Sequence, residues 1–212
     1  MSTLTVGTIS EKVTDAGVAV DGVTLKDGGA VFTSAVTATD NTVDLGASST
    51  RFKDLYLSGG VYLGGTGSAN YLQDYETGTF TPTYTASSSN PTVTYSIQTG
   101  VYVKVGKLVH IQGRIRINSV SGGSGTLFIS GLPFSNYSTG NYFSSMSIGY
   151  SSGFNTNHPS TIYMGNGHSY LHLVRFNSTS AIGGRTNVIQ VSDMNNATNQ
   201  CDVMFTGTFS TD

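Results

Sequence analysis

In residues 101–117, VYVKVGKLVHIQGRIRI, every odd position is apolar except Lys107 and Gly113, and the even positions include Lys104, His110, Gln112, Arg114 and Arg116. A period of two with one apolar set predicts strand with one buried face. That places Val101, Val103 and Val105 in a core together with Val109, Ile111, Ile115 and Ile117, and leaves His110 solvated. Gly106-Lys107 breaks the pattern where a two-residue hairpin with Gly first would fit. Near the C-terminus Cys201, Val203, Phe205 and Phe209 alternate with Asp202, Met204, Thr206 and Thr208. Cys201 is therefore expected as a small core residue, and Asp202 on the outward face. Further strand candidates are 92–97, 126–130, 142–150, 160–164, 168–176 and 186–191. Eight or nine strands without helical periodicity predict an antiparallel β-sandwich, jelly-roll-like, over residues 77–212. Its boundary falls near YETGTFTPT, residues 75–83.

The first 76 residues follow another rule. Residues 1–32 read as short strands split at Asp21-Gly22 and Asp27-Gly28. Their apolar positions, Val18, Val20, Val23 and Leu25, are too few for a core. Residues 33–44 are a polar connector. Then LGASSTRFKDLYLSGGVYLGGTGSAN, 45–70, carries Leu55, Tyr56, Leu57, Val61, Tyr62 and Leu63 in short pieces between Gly59-Gly60 and Gly64-Gly65. Such a segment cannot bury enough surface within one chain to offset its ordering entropy. The recurrence of turn plus apolar piece predicts that several copies wind together.

Composition sharpens this picture. Charged residues make up 10% of the 212, against about a quarter in ordinary soluble domains. Beta-branched residues, Tyr and Gly-rich turns point to an all-β class. Residues 1–76 hold four Lys/Arg against nine Asp/Glu, residues 77–212 hold six against three, and Asn118–Val174 holds none of the four. A polar surface made without charge suits neutral ligands or packing against copies of itself. It does not suit nucleic acid, which needs clustered Lys and Arg. No run approaches the roughly 18 apolar residues of a membrane span, and MSTLTVGTISEK lacks the pattern of a signal peptide. A single cysteine excludes an intrachain disulfide and fits a reducing cytoplasm.

Candidate chemistry is sparse. A hydrolase acting on polysaccharide usually needs two carboxylates a few ångströms apart, and beyond Glu76 only Asp193, Asp202 and Asp212 remain. They read as surface and turn residues, so no enzyme activity is expected. His168 and His172 share a strand face in GHSYLH and form a weak candidate metal pair, set against simple packing with Tyr170; no cofactor is expected. GVYVKVGK has the wrong spacing for a phosphate loop. NYS, NST and NAT match the glycosylation sequon but come without a secretory signal. Tyr137, Tyr142, Phe143, Tyr150, Phe154, Tyr163 and Tyr170 lie in the charge-free stretch. Aromatic faces beside amides and hydroxyls suit neutral sugars, yet most of the seven are expected in the core or in subunit packing. Contact is expected instead on loops 135–142, 152–159, 165–168 and 193–199, through Tyr142, Asn155, Asn157, His158, Asn166 and His168.

Several phrases stand in a familiar order: TISEKVTDAGVAVDGVTLKDGG, LGASSTRFKDLYLSGG, LQDYETGTFTPT, TGVYVKVGKLVHI and SGLPF. Over residues 8–134 the chain resembles the fibre and receptor-binding proteins of tailed phages, marine ones (cyanophage-like) above all; the likeness fades over 135–212. The resemblance implies a homotrimeric fibre, carried in the virion and assembled in the host cytoplasm. Residues 1–32 would attach to another tail protein and 33–76 would form a shaft. Residues 77–212 would touch a bacterial surface component, a glycan by the composition above. The helical pattern and Ser/Lys site of self-cleaving fibre chaperones are not found, so no autoproteolysis is expected. Two alternatives stand beside the adhesin: a purely structural virion fibre or connector, and a depolymerase with an intersubunit site.

Overall fold

The computed structural model describes residue 38, residues 43–176 and residues 186–212. The expected attachment strands of 1–32, and most of the connector, lie outside them. The chain divides into two compact units, Met1–Tyr56 and Leu57–Asp212. In the second, β1 (Val61–Tyr62) and β2 (Tyr71–Leu72) pair as a small antiparallel sheet. The main sheet is built from β3 (Tyr75–Phe80), β4 (Thr83–Ala86), β5 (Thr92–Val105), β6 (Leu108–Ser121), β7 (Leu127–Ser130), β8 (Ser144–Ser152), β9 (Thr161–Met164), β10 (Leu171–Phe176), β11 (Thr186–Val188) and β12 (Gln200–Ser210). Its order is β3-β5-β6-β12-β8-β9-β10-β7-β4, with β11 on β10, and every pairing is antiparallel. The all-β antiparallel class is as expected. The sheet curls into a half-barrel, so that one face lines the core.

That core takes Val109, Ile111, Ile115 and Ile117 from β6, and Cys201, Val203, Phe205 and Phe209 from β12, as the alternation predicts. Gly113, the gap in the pattern, is explained by its neighbours. It faces Gly100 across the ladder, and the ring of Phe205 lies where a Cβ on Gly113 would stand, as the ring of Phe80 does for Gly100. Backbone left bare by two glycines is roofed by two aromatic rings.

The hairpin forms at Gly106-Lys107, with Gly106 at φ +58° and Val105 paired with Leu108. It also overturns one expectation. Residues directly opposite in an antiparallel pair share a face, and in this register Val103 faces His110 and Val101 faces Gln112. An odd position before the turn therefore sits beside an even one after it, and the unbroken odd alternation cannot occupy a single face. The β6 aliphatics win the core. Val101, Val103 and Val105 are turned to the outside, 52%, 39% and 40% exposed. Lys104 is turned inward to 7% exposure, paired with Asp74 and 5.5 Å from the Phe134 ring centre. His110 is exposed, as expected.

Asp202 corrects a second expectation. It leaves the strand on the outward side yet is only 4% exposed, because Arg114 lies over it. Arg114 Nε and Nη2 donate to its two oxygens at 3.0 and 2.7 Å. The ladder slips between Gln200 and Val203, and Cys201 takes φ +45° there. The bulge is held by the Tyr84 hydroxyl, which donates to the Cys201 carbonyl at 2.8 Å.

Candidate functional site: an aromatic and imidazole row on the outer face

Three triplets in three strands place the site. In LFI (127–129), IYM (162–164) and LHL (171–173) the outer two residues are buried in the core, so the middle residue must point the other way. Register then aligns the middles: His172 lies opposite Tyr163 on one side and Phe128 on the other. Tyr163 and His172 stack with ring centres 4.4 Å apart and planes 4° off parallel, and Phe128 meets His172 edge-on at 5.0 Å. The loop between β9 and β10 folds two more rings onto this row. His168 stacks on Tyr170 at 4.5 Å and Tyr170 lies 4.6 Å from Phe128. Phe143, well exposed, extends the row at 6.1 Å from Tyr163.

Hydrogen bonds fix the imidazoles. His168 Nδ1 and His172 Nε2 share a hydrogen at 3.1 Å, and Tyr170 Oη lies 3.4 Å from His168 Nε2. The expected metal pair is thus in mutual contact, and among the described residues no group of three or more His, Cys, Asp or Glu gathers around a common point. Burial, and second the neighbouring His168, lower the pKa of His172 to about 4. Because folding depresses a base below its ordinary value of 6.5, the associated stability is complete above that pH. It is lost as pH falls through about 6.5 towards about 4. A melting series should show Tm falling over this interval, and falling less in His172→Phe; equal acid losses in both proteins would refute the assignment.

Beyond the row lies a depression of about 400 Å³ lined by Lys107, Asn136, Tyr137, Tyr142, Phe143, Ser144 and Ser210. Tyr137 and Tyr142 meet edge-on at 5.6 Å, and Lys107 Nζ stands 5.3 Å from the Tyr137 ring centre. Buried Asn136 organises this corner. Its amide nitrogen donates to the carbonyls of Tyr142, Met164 and Gly165, and its oxygen accepts from Ser144. It ties the β7–β8 loop to the β9–β10 loop.

The expected contact residues separate into two groups. Tyr142, Asn166 and His168 lie at the end of the sheet where the chain joins it, beside the Gly106-Lys107 hairpin and Ser210. Asn155, Asn157 and His158 lie at the opposite end of β8, about 30 Å away at strand rise. The four expected loops therefore do not form one surface. Three asparagines also spend their amides internally: Asn155 donates to Met194 O, Asn157 to Asp193 Oδ1 and Asn166 to Ser138 O. His158 rests edge-on against Phe154. Asp193 is buried, accepting from Asn157 and from the Gln190 amide, and Asp212 accepts from the Ser138 hydroxyl. Of the seven aromatic residues expected mostly in packing, Phe154 alone is in the core of this chain. Tyr142, Phe143 and Tyr150 are exposed, and Tyr137, Tyr163 and Tyr170 half-buried. Phe128, Tyr163 and His172 were legible only through the triplets.

No protein-family model, curated protein or solved structure matches this chain.

Proposed function

We propose that the chain is a trimeric tailed-phage fibre protein whose C-terminal sheet binds a neutral glycan on the bacterial surface through the Phe143–Tyr163–His172–Phe128 row. The row itself carries this reading. It presents the outer rims of rings that stack on one another, with imidazole and phenol hydrogen-bonding atoms and without a formal charge, on a rigid sheet. Aromatic side chains with polar tips suit sugars, apolar ring surface against C–H groups and polar tips to hydroxyls. The family resemblance supplies the fibre, the virion location and attachment to another tail protein through residues 1–32.

Self-association is supported from a second direction. Phe52, Leu55, Tyr56, Leu57, Tyr62 and Leu63 are all largely exposed in the single chain, which fits copies that supply one another's core over the shaft. Light scattering on the full-length protein should give three times 22.2 kDa; a monomer would refute the shaft. A non-catalytic role is favoured because the carboxylates of Asp193 and Asp202 are buried and engaged by Asn157 and Arg114. Binding of fluorescent full-length protein to susceptible cells, competed by neutral oligosaccharides released from their envelope, tests the adhesin. Failure to bind, with the trimer intact, would favour the purely structural fibre.

A further inference from the structure

We propose that the outward face of β3, β5, β6 and β12 is an interface between copies of this chain, made by the second unit itself and continuing the contact of the shaft. Register assembles it in rows. Tyr75, Val105, Leu108 and Ser210 lie side by side, then Thr77, Val103, His110 and Thr208, then Thr79, Val101, Gln112 and Thr206, then Thr99, Arg114 and Met204. Tyr75, Val101, Val103, Val105, Leu108 and Met204 are all exposed here. Contiguous exposed apolar surface of this kind marks an interaction site more than scattered single residues do.

The occupant follows from what the face contains. Among these rows Arg114 is neutralised by Asp202, and Arg116, the next outward position of β6, stands at their edge and donates to the Ser96 hydroxyl. Its exposed apolar side chains are aliphatic but for Tyr75 (Val101, Val103, Val105, Leu108 and Met204), so it lacks the run of neighbouring rings that marks the aromatic row. No cluster of cations fits it to an anionic membrane. A neutral face can oppose its own copy without like-charge repulsion. The segment leading directly into β3 exposes Leu57, Tyr62 and Leu63, so apolar surface in need of a copy continues along the chain into Tyr75. At strand spacings of about 4.8 Å and rises of about 3.4 Å the face covers on the order of 500 Å². Stable interfaces take about 800 Å² a partner, so this face supplies over half of one and the exposed apolar residues Leu57, Tyr62, Leu63 and Leu72 extend it.

The test is thiol protection in the full-length protein. Cys201 is buried with its thiol pushed up to about 11, so it stays silent towards a maleimide carrying a bulky polyethylene glycol chain. Val103→Cys, and independently Thr77→Cys in the same row, are compared with Thr156→Cys, exposed in the loop between β8 and β9. The expected result is a multiple of 22.2 kDa by light scattering. Both face cysteines should then label about tenfold or more slowly than Thr156→Cys, because burial removes access to the thiol. Equal labelling in the assembled protein overturns the proposal, since the face would be open while the shaft holds the copies together. A monomer overturns it too, whether its face cysteines react freely or are covered by the chain's own residues. Loss of cell binding alone leaves these readouts unchanged, so the glycan reading and this one fail separately.

Discussion

Replacing Tyr163 and His172 together by Ala should abolish the proposed adsorption of the assembled protein to bacterial cells while the sheet stays folded. The fold survives because the two side chains point outward; Ile162, Met164, Leu171 and Leu173 on either side fill the core. Binding does not survive because the two rings stack on each other at 4.4 Å and form the middle of the row. Aromatic contacts contribute about 0.5–1.5 kcal/mol each beyond area, so two rings lost cost roughly 10- to 100-fold per copy. In the proposed trimer, three copies would multiply that loss through avidity. Asn157→Ala with His158→Ala, at the other end of β8, should change adsorption little, although Asn157 holds Asp193 and the loop there will loosen. Adsorption lost in the loop pair but retained in the row pair would move the site to the loops.

Arg114→Ala should be among the most destabilising single substitutions on this surface. It strips the partner from a carboxylate that remains buried, and breaking such a pair costs about 3–5 kcal/mol in a fully buried setting. Arg114 is itself about a third exposed, so water reaches the site and the loss falls short of that buried limit. A clearly lower Tm is the expected reading. Arg114→Lys should recover only part, since an ammonium cannot reproduce the two-pronged contact. Asp202→Asn should be milder, because it leaves no buried charge behind. Thermal unfolding of the three variants checks the order.

The strands of the C-terminal unit were legible wherever one register governed the alternation. β6 and β12 bury the residues that their pattern names, and Gly106-Lys107 turns where Gly first was needed. What failed was parity across that turn. The odd positions of 101–105 and 109–117 look like one set, but a two-residue hairpin puts them on opposite faces, and only the pairing reveals which set goes in. Asp202 was correctly assigned a side and wrongly assigned to solvent, because the partner covering it is 88 residues away in sequence. Loop asparagines looked like ligand contacts for a similar reason. The carbonyls of Met194 and Ser138, and the carboxylate of Asp193, that claim them come from other loops. The aromatic row was hidden in its triplets: each reads as core until the flanking residues are assigned inward, and its continuity depends on the alignment of β7, β9 and β10.

Ring resonances report whether the ligand sits on the outer-face row. Full-length protein labelled with 3-fluorotyrosine, its signals assigned by Tyr163→Phe, Tyr170→Phe and Tyr75→Phe, is titrated with neutral oligosaccharide released from the envelope of a cell type that it adsorbs. Saturable shifts of Tyr163 and Tyr170 are expected, with Tyr75 on the valine face unmoved. Saturable binding that leaves Tyr163 and Tyr170 unshifted would contradict it.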